Sequence, residues 1–132
     1  MIIVDASVLV SFANDIDQKH EEACAVVEQI KGGQHGEPLV LSEAFAETAN
    51  VLGLRKINRA DTIRFCHDLQ VAYKITFANA QVFSKAFDIY SNSKRPLSFT
   101  DCLQLQYART YGAKIASFDA DLNREAGNLA IK

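Results

Sequence analysis

The chain has 132 residues, of which 48% are hydrophobic and 23% are charged, and its formal net charge is −2. This length predicts one domain with a single core, and the composition argues against a disordered or collagen-like chain. The apolar runs are far shorter than the roughly 20 residues of a membrane span, and residues 1–4 lead into Asp5 without a basic leader. We therefore expect a cytoplasmic protein with no membrane anchor or signal peptide. The net charge neither supports nor excludes RNA as a partner.

Two kinds of segment alternate along the chain. Short, partly β-branched apolar runs predict strands at residues 2–4, 39–41, 73–76 and 114–117. Between them, apolar spacings of three and four predict helices over residues 17–29, 42–54, 59–69, 78–90, 100–111 and 121–126. The glycines at 32 and 33 and Gly112 stand where helices would end. Strands that alternate with helices predict an α/β domain in which a parallel sheet is covered on both faces.

The cysteines and histidines predict neither a disulfide nor a zinc site. Cys24, Cys66 and Cys102 are odd in number, lack a CxxC spacing and stand among apolar residues. We therefore expect three reduced, buried thiols. The three histidines share no ligand spacing, and we interpret them as surface or loop residues.

Two of the predicted strands are followed by an aspartate, one immediately and one after a single intervening residue. Asp5 comes after the first strand and Asp119 after the last. Ligands of open parallel sheets bind beyond the carboxyl ends of the strands. Each aspartate has a structural alternative, because Asp5 could cap a helix starting near Ser7 and Asp119 could cap the final helix. Their joint occurrence favours function and predicts that the ends of these two strands are neighbours.

The helix predicted over residues 42–54 carries two glutamates four residues apart. Its apolar stripe is formed by Leu41, Ala44, Phe45, Thr48, Val51 and Leu52. Glu43 lies nearly opposite that stripe in the first turn, where a carboxylate suits the helix dipole, so we interpret it as structural. Glu47 lies at the border of the stripe, where it could reach inward or remain solvated.

Asp101 opens the helix predicted over residues 100–111, on the face shared with Leu105 and Ala108. It could merely suit the helix dipole, but an unpaired charge on an inward face is costly. With the three acids above it would bring four carboxylates together, which would repel one another unless a cation lay among them. Oxygen ligands without cysteine or histidine favour Mg²⁺ or Mn²⁺ over zinc, bound as one ion or two.

These segments, in this order, resemble the PIN-domain family and, within it, the VapC-type toxins of toxin–antitoxin modules. The matching pieces span nearly the whole chain: Val4-Asp5-Ala6-Ser7, residues 42–52 around Glu47, Leu97-Ser98-Phe99-Thr100-Asp101 and Ser117-Phe118-Asp119-Ala120-Asp121. The resemblance implies a single PIN domain over residues 1–132, with a five-stranded parallel sheet in an α/β/α sandwich. It also implies Mg²⁺- or Mn²⁺-dependent cleavage of single-stranded RNA, a homodimer, and a small antitoxin that blocks the acidic pocket.

The resemblance also assigns roles to individual residues. The family's acidic quartet, which would be catalytic and hold the metal, falls on Asp5, Glu47, Asp101 and Asp119. Ser7 and Ser117 match small hydroxyl or amide positions that support the quartet, and Asp121 matches an accessory acid of many members. The chain departs from the family in having Ser117 where threonine is frequent and Leu122 where an aromatic residue often follows the last acid. Both departures leave the quartet intact.

Several basic residues lie near the proposed site. They are Arg55, Lys56, Arg59, Lys94 and Arg95. They could hold RNA phosphates, although lysine and arginine at loops and helix ends are more often solvated surface.

Three other functions remain open from the sequence: a housekeeping PIN nuclease in RNA processing, a receiver-like signalling domain, and a non-catalytic binding module. A receiver would need an acidic pair after the first strand and a lysine after the last. Here Asp5 stands alone, and Asp119 occupies the position of the lysine.

Overall fold

The computed structural model describes residues 1–131. The predicted strands and helices are present there, and one further helix directly follows the first strand. In chain order the elements are β1 (Ile2–Val4), α1 (Ala6–Ala13), α2 (His20–Lys31), β2 (Pro38–Leu41), α3 (Ser42–Leu54), α4 (Arg59–Ala72), β3 (Lys74–Thr76), α5 (Ala80–Asn92), α6 (Phe99–Tyr111), β4 (Lys114–Ala116) and α7 (Ala120–Ala126). A 3₁₀ turn, Gly127–Leu129, follows α7.

The strands form a parallel sheet in the order β3-β2-β1-β4. Val4 at the end of β1 is paired with Ala116 at the end of β4, which confirms that the two strands preceding Asp5 and Asp119 are neighbours. Because the strands are parallel, their carboxyl ends meet at one edge of the sheet. This edge carries the candidate site.

The resemblance was wrong in one detail, because the sheet has four strands among residues 1–131 rather than five. Beside β4, the place of a fifth strand is taken by an isolated parallel bridge between Ile115 and Ala130. The N–H of Ile131 also donates to the Ile115 carbonyl at 3.0 Å. The chain becomes extended only at Ala130, where it leaves the 3₁₀ turn, so a single residue comes into register.

Helices cover both faces of the sheet, and because side chains alternate along each strand, successive residues pack on opposite faces. On one face, Ile3, Leu39, Leu41 and Ile115 pack with α5, α6 and α7. On the other face, Ile2, Val4, Val40 and Ala116 pack with α1, α2, α3 and α4. Burying each large aliphatic side chain contributes about 1.5–3 kcal/mol to folding. The predicted three-layer α/β/α sandwich is therefore confirmed.

The ends of the predicted helices lie within about three residues of the observed ones. Helix α3 has the predicted bounds, and Gly112 ends α6 with a left-handed φ of 69°. Helix α2 begins at His20, later than predicted. The Asp17 carboxylate accepts hydrogen bonds from the Lys19 N–H and the Ser11 hydroxyl at 2.9 and 3.2 Å. These bonds hold residues 14–19 as a turn before the helix.

The predictions about membrane spans and about the cysteines can be compared with the structure. No helix within residues 1–131 is both long and apolar enough to cross a membrane. The three cysteines are free thiols, as predicted, although only Cys102 is fully buried. Burial raises the pKa of the Cys102 thiol to about 11, which leaves it protonated and unreactive at neutral pH.

Candidate active site

A cavity of about 820 Å³ opens beyond the carboxyl end of β1. It is lined by the four predicted acids, Asp5, Glu47, Asp101 and Asp119. Asp5 follows β1 and Asp119 follows β4, whereas Glu47 lies on α3 and Asp101 in the first turn of α6. Four separate elements therefore deliver a carboxylate to one cavity.

Asp5 is the most constrained of the four carboxylates. It occupies the N-cap position of α1, yet its side chain makes no capping hydrogen bond. Its Oδ2 instead accepts from the hydroxyls of Ser7 at 2.7 Å and Ser117 at 2.8 Å. Its Oδ1 accepts from the Gln104 amide at 3.0 Å. The capping alternative for the Asp5 side chain therefore does not hold.

Ser7 and Ser117 also connect the ends of β1 and β4. The Ser7 Oγ accepts from the Phe118 N–H at 3.0 Å, and the Ser117 Oγ accepts from the Asp119 N–H at 3.0 Å. Each hydroxyl thus donates to Asp5 and accepts from the backbone beyond β4. The two serines, predicted as supporting residues, fix Asp5 relative to Asp119.

Asp101 is buried and forms a capping box with Ser98 at the start of α6. The Ser98 N–H donates to the Asp101 Oδ2 at 2.9 Å, and the Asp101 N–H donates to the Ser98 Oγ at 3.0 Å. Burial raises the pKa of Asp101, and the negative charges of Asp5 and Asp119 raise it further, against the opposing effect of the bonds with Ser98. Asp101 therefore has a structural role and also lies in a crowded acidic environment.

Glu47 differs from both aspartates because it is exposed and its side chain makes no hydrogen bond or ion pair within residues 1–131. Partial desolvation at the cavity wall raises its pKa, and the charges of Asp5 and Asp101 add to that rise. The side chain can turn at little cost, so it is free to approach a cation from the helix side of the cavity.

Asp119 and Asp121 have different surroundings although they are neighbours in sequence. The Asp119 Oδ1 caps α7 by accepting from the Leu122 N–H at 2.8 Å, so the capping alternative and the cavity position both hold. Asp121 makes a 3.8 Å ion pair with Arg124 and does not line the acidic cavity. The structure therefore does not bring Asp121 together with the quartet.

The predicted basic residues lie in different places, and Arg59 is simply exposed at the start of α4. Arg55 lines the acidic cavity and donates to Asp17 at 2.9 Å, while Lys56 beside it is exposed with a φ of 60°. Lys94 and Arg95 line a separate cavity, where Arg95 donates to Glu125 at 2.9 Å. Only Arg55 of these residues contacts the space around the acids.

Two features of the cavity were not found from the sequence. The Lys19 ammonium lies 5.2 Å from the centroid of the Phe118 ring, and both residues line the cavity. Gln104, which holds Asp5, lies in the buried part of α6. A polar residue between Leu103 and Leu105 on a core helix, three positions after Asp101, was the available signal.

The acids fit a hard divalent cation by their chemistry. Within residues 1–131 no three of the acidic, cysteine or histidine side chains already converge on one point. Desolvation is the main cause of the raised pKa values of Glu47 and Asp101, and repulsion by the other acids adds to it. The cavity lining has carboxylate and hydroxyl oxygens but no cysteine or histidine. Such a set suits Mg²⁺ or Mn²⁺, which would relieve the repulsion.

Comparisons with known proteins point to one family. A family model described as the PIN domain matches residues 2–128. No curated protein sequence matches the chain closely enough to count as a relative.

Among solved structures, the chain is similar to VapC20 of Mycobacterium tuberculosis, described as a sarcin-ricin loop cleaving toxin, at 19% identity and a TM-score of 0.80 over 96% of this chain and 95% of that one. It is similar to PAE2754 of Pyrobaculum aerophilum at 19% identity and a TM-score of 0.72, over 98% of this chain and 87% of that one. It is also similar to FitAcB of Neisseria gonorrhoeae at 13% identity and a TM-score of 0.70, over 100% of this chain and 97% of that one. Likenesses at this identity establish the fold. With the family model, which spans nearly the whole chain, they show that this protein belongs to the PIN-domain family.

Proposed function

We propose that this chain is a Mg²⁺- or Mn²⁺-dependent endoribonuclease that hydrolyses phosphodiester bonds of RNA and serves as the toxin of a type II toxin–antitoxin module. The observation that carries the proposal is the cavity lined by Asp5, Glu47, Asp101 and Asp119. Membership of the PIN-domain family supports a nuclease and removes the receiver-like alternative.

In the proposed reaction, the four carboxylates would hold the metal and the cavity would hold the RNA backbone. A bound divalent cation would supply a water of lowered pKa and would stabilise negative charge on the phosphate. Asp5 is held by Ser7, Ser117 and Gln104, so it serves as the fixed side of the site. Glu47 makes no competing hydrogen bond and can turn toward the cation from α3.

We further propose that basic residues at the cavity wall contact the RNA phosphates. Arg55 is the strongest candidate because it lines the acidic cavity, where its ion pair with Asp17 holds the guanidinium in place. Lys94 and Arg95 line a separate cavity, so they would contact RNA only outside the acidic one. Lys56, next to Arg55 and exposed, would contribute by its charge alone.

The test of catalysis is cleavage of defined RNAs by the purified protein in Mn²⁺, in Mg²⁺ and in a chelator. Asp101→Asn is the sharpest variant, because asparagine keeps an oxygen that can accept from the Ser98 N–H and so preserves the capping box. We expect it to fold normally, to bind Mn²⁺ more weakly and to lose cleavage by orders of magnitude.

Glu43→Gln is the matched control. Glu43 lies on the same helix as Glu47 but accepts a hydrogen bond from Ser42 at 3.0 Å and does not line the cavity, so this variant should cleave RNA like the wild type. Equal cleavage by wild type and Asp101→Asn in Mn²⁺ would overturn the proposed mechanism.

The toxin role is supported by the resemblance to VapC-type toxins and by the structural likeness to VapC20, which is described as a toxin. A small antitoxin would then cover the acidic cavity, with a basic side chain among the carboxylates. Expression of the chain alone in its native host should arrest growth, and co-expression of a neighbouring antitoxin gene should relieve the arrest. Harmless expression of folded protein would instead favour a housekeeping RNA-processing nuclease in the cytoplasm.

We also propose a homodimer, and one exposed surface supports it. Phe83, Phe87 and Tyr90 on α5 are each about half exposed and lie around Phe99, with ring centroids 5.1–6.4 Å from that ring. Exposed aromatic clusters of this kind are typical of protein interfaces. Sedimentation equilibrium should give twice the chain mass, and a monomer at high concentration would contradict the proposal.

A further inference from the structure

Among residues 1–131, Gln104 is the one fully buried polar residue whose side chain reaches the acidic site from the core. It is 0% exposed, between the fully buried Leu103 and Leu105 on α6. Its Nε2 donates to the Asp5 Oδ1 at 3.0 Å across 99 positions of sequence. The orientation of the amide follows from chemistry, because an ionised carboxylate only accepts hydrogen bonds and the amide nitrogen must therefore face it.

The other half of this amide is unsatisfied. The Gln104 Oε1 is buried and has no hydrogen-bond partner within residues 1–131. An unpaired buried acceptor is destabilising, and a leucine or methionine at the same place would avoid that loss. A residue that conflicts with its apolar surroundings in this way indicates a functional constraint.

The three donors around Asp5 leave it a defined binding capacity. Each carboxylate oxygen offers about two lone-pair directions. Both directions on Oδ2 are occupied by the hydroxyls of Ser7 and Ser117. On Oδ1, the Gln104 amide occupies one direction and leaves the other open. Gln104 thereby selects the oxygen, and the direction, that Asp5 can offer to a cation.

We propose that Gln104 is a positioning residue that orients the Asp5 carboxylate for divalent-cation binding through Oδ1. This inference rests on the proposed metal-dependent function. Partners that hold a ligating carboxylate typically affect metal affinity or activity by about 10- to 100-fold when they are removed. Gln104 does not contact the RNA in this scheme, so it should affect cation affinity and kcat while leaving KM for RNA unchanged.

The first experiment measures Mn²⁺ affinity by calorimetry in wild-type protein, Gln104→Met and Gln106→Met. Methionine conserves the length of the side chain but cannot donate to Asp5. We expect Gln104→Met to weaken Mn²⁺ binding about 10- to 100-fold, with kcat reduced to a similar degree. Gln106 is the matched control on the same helix, because its amide donates only to Thr110 at 3.0 Å, and its variant should bind like the wild type.

A second measurement needs no variant at the site. In wild-type protein, Mg²⁺ titration should shift the side-chain amide ¹⁵N resonance of Gln104 with the midpoint of cation binding, and the Gln106 resonance should not move.

A double-mutant cycle with Asp5→Asn completes the test, since Gln104→Met should have little further effect on the residual Mn²⁺ affinity once Asp5 is neutral.

The outcomes separate this inference from the proposed function. Wild-type protein that binds neither Mn²⁺ nor Mg²⁺ overturns both. Wild-type protein that binds Mn²⁺ while a folded Gln104→Met protein binds it equally well overturns the positioning role alone. If Gln104→Met does not fold, a Gln104 resonance that stays unchanged through saturating Mg²⁺ overturns the role in the same way.

Discussion

The Asp5 side chain accepts three hydrogen bonds and the residue is 5% exposed, whereas Glu47 in the same cavity is exposed and its side chain makes no hydrogen bond within residues 1–131. Asp5 follows a strand at the centre of the sheet, where neighbouring strands and α6 bring fixed donors around it. Glu47 lies exposed on α3, where partial desolvation and the negative charges of Asp5 and Asp101 raise its pKa.

The difference shows that one acidic site can combine a rigid part and an adaptable part. The sheet edge supplies a carboxylate whose orientation is decided before any cation arrives, which lowers the cost of ordering on binding. Helix α3 supplies the Glu47 carboxylate, whose position is fixed only when the cation binds. Replacing Asp5 should therefore reduce both folding stability and RNA cleavage, whereas replacing Glu47 should reduce cleavage alone.

The largest expected effect is the difference in stability between Asp5→Ala and Glu47→Ala. Removing the Asp5 carboxylate leaves the donors of Ser7, Ser117 and Gln104 without their acceptor. The Gln104 amide is fully buried, whereas the two hydroxyls are only partly buried and can turn to water in the cavity. An unsatisfied buried donor costs about 1–3 kcal/mol, so the free energy of unfolding should fall by about that amount. Glu47→Ala should change it by less than about 0.5 kcal/mol. Urea unfolding of the metal-free proteins measures both values.

Both alanine variants should nevertheless lose RNA cleavage to a similar degree. Stability losses of equal size in the two variants would break the comparison, because they would mean that the hydrogen bonds around Asp5 do not hold it as strongly as their number implies.

Asp119 stands between these extremes, because it lines the cavity and also caps α7. Asp119→Ala removes the cap and should lower the free energy of unfolding by about 1 kcal/mol, whereas Asp119→Asn keeps it and should have almost no effect. Both variants should lose cleavage if the carboxylate serves the metal. Thermal unfolding together with the RNA assay separates the two roles, and full activity of Asp119→Asn would leave only the cap.

The smallest effect concerns the pH dependence of the metal-free protein. The pKa of Glu47 is raised in the folded state by desolvation and by Asp5 and Asp101. Just above the ordinary carboxyl range, the folded protein therefore keeps a proton that the unfolded chain has released. Its stability falls as pH rises through this interval. Glu47→Gln should reduce that decline in denaturant midpoints measured at several pH values, and Glu43→Gln should not. A decline unchanged in Glu47→Gln would contradict the crowding of Glu47 with the other acids.

The sequence by itself determined the order of the elements and the places of the acids. Apolar periodicity is set by each element's own burial, so most strands and helices could be predicted with small errors at their ends and α3 with none. A residue that follows a strand must lie at the sheet edge, which is why Asp5 and Asp119 could be predicted to be neighbours.

Only the tertiary structure decided which side chains contact each other there. Gln104 meets Asp5 across 99 positions and Ser117 meets it across 112, distances over which local patterns carry no information. The same holds for Arg95, which chain position placed near the acids and which pairs with Glu125 beside a different cavity. Side-chain pairing depends on how layers pack and which rotamers fit, and these are properties of the assembled core rather than of any segment.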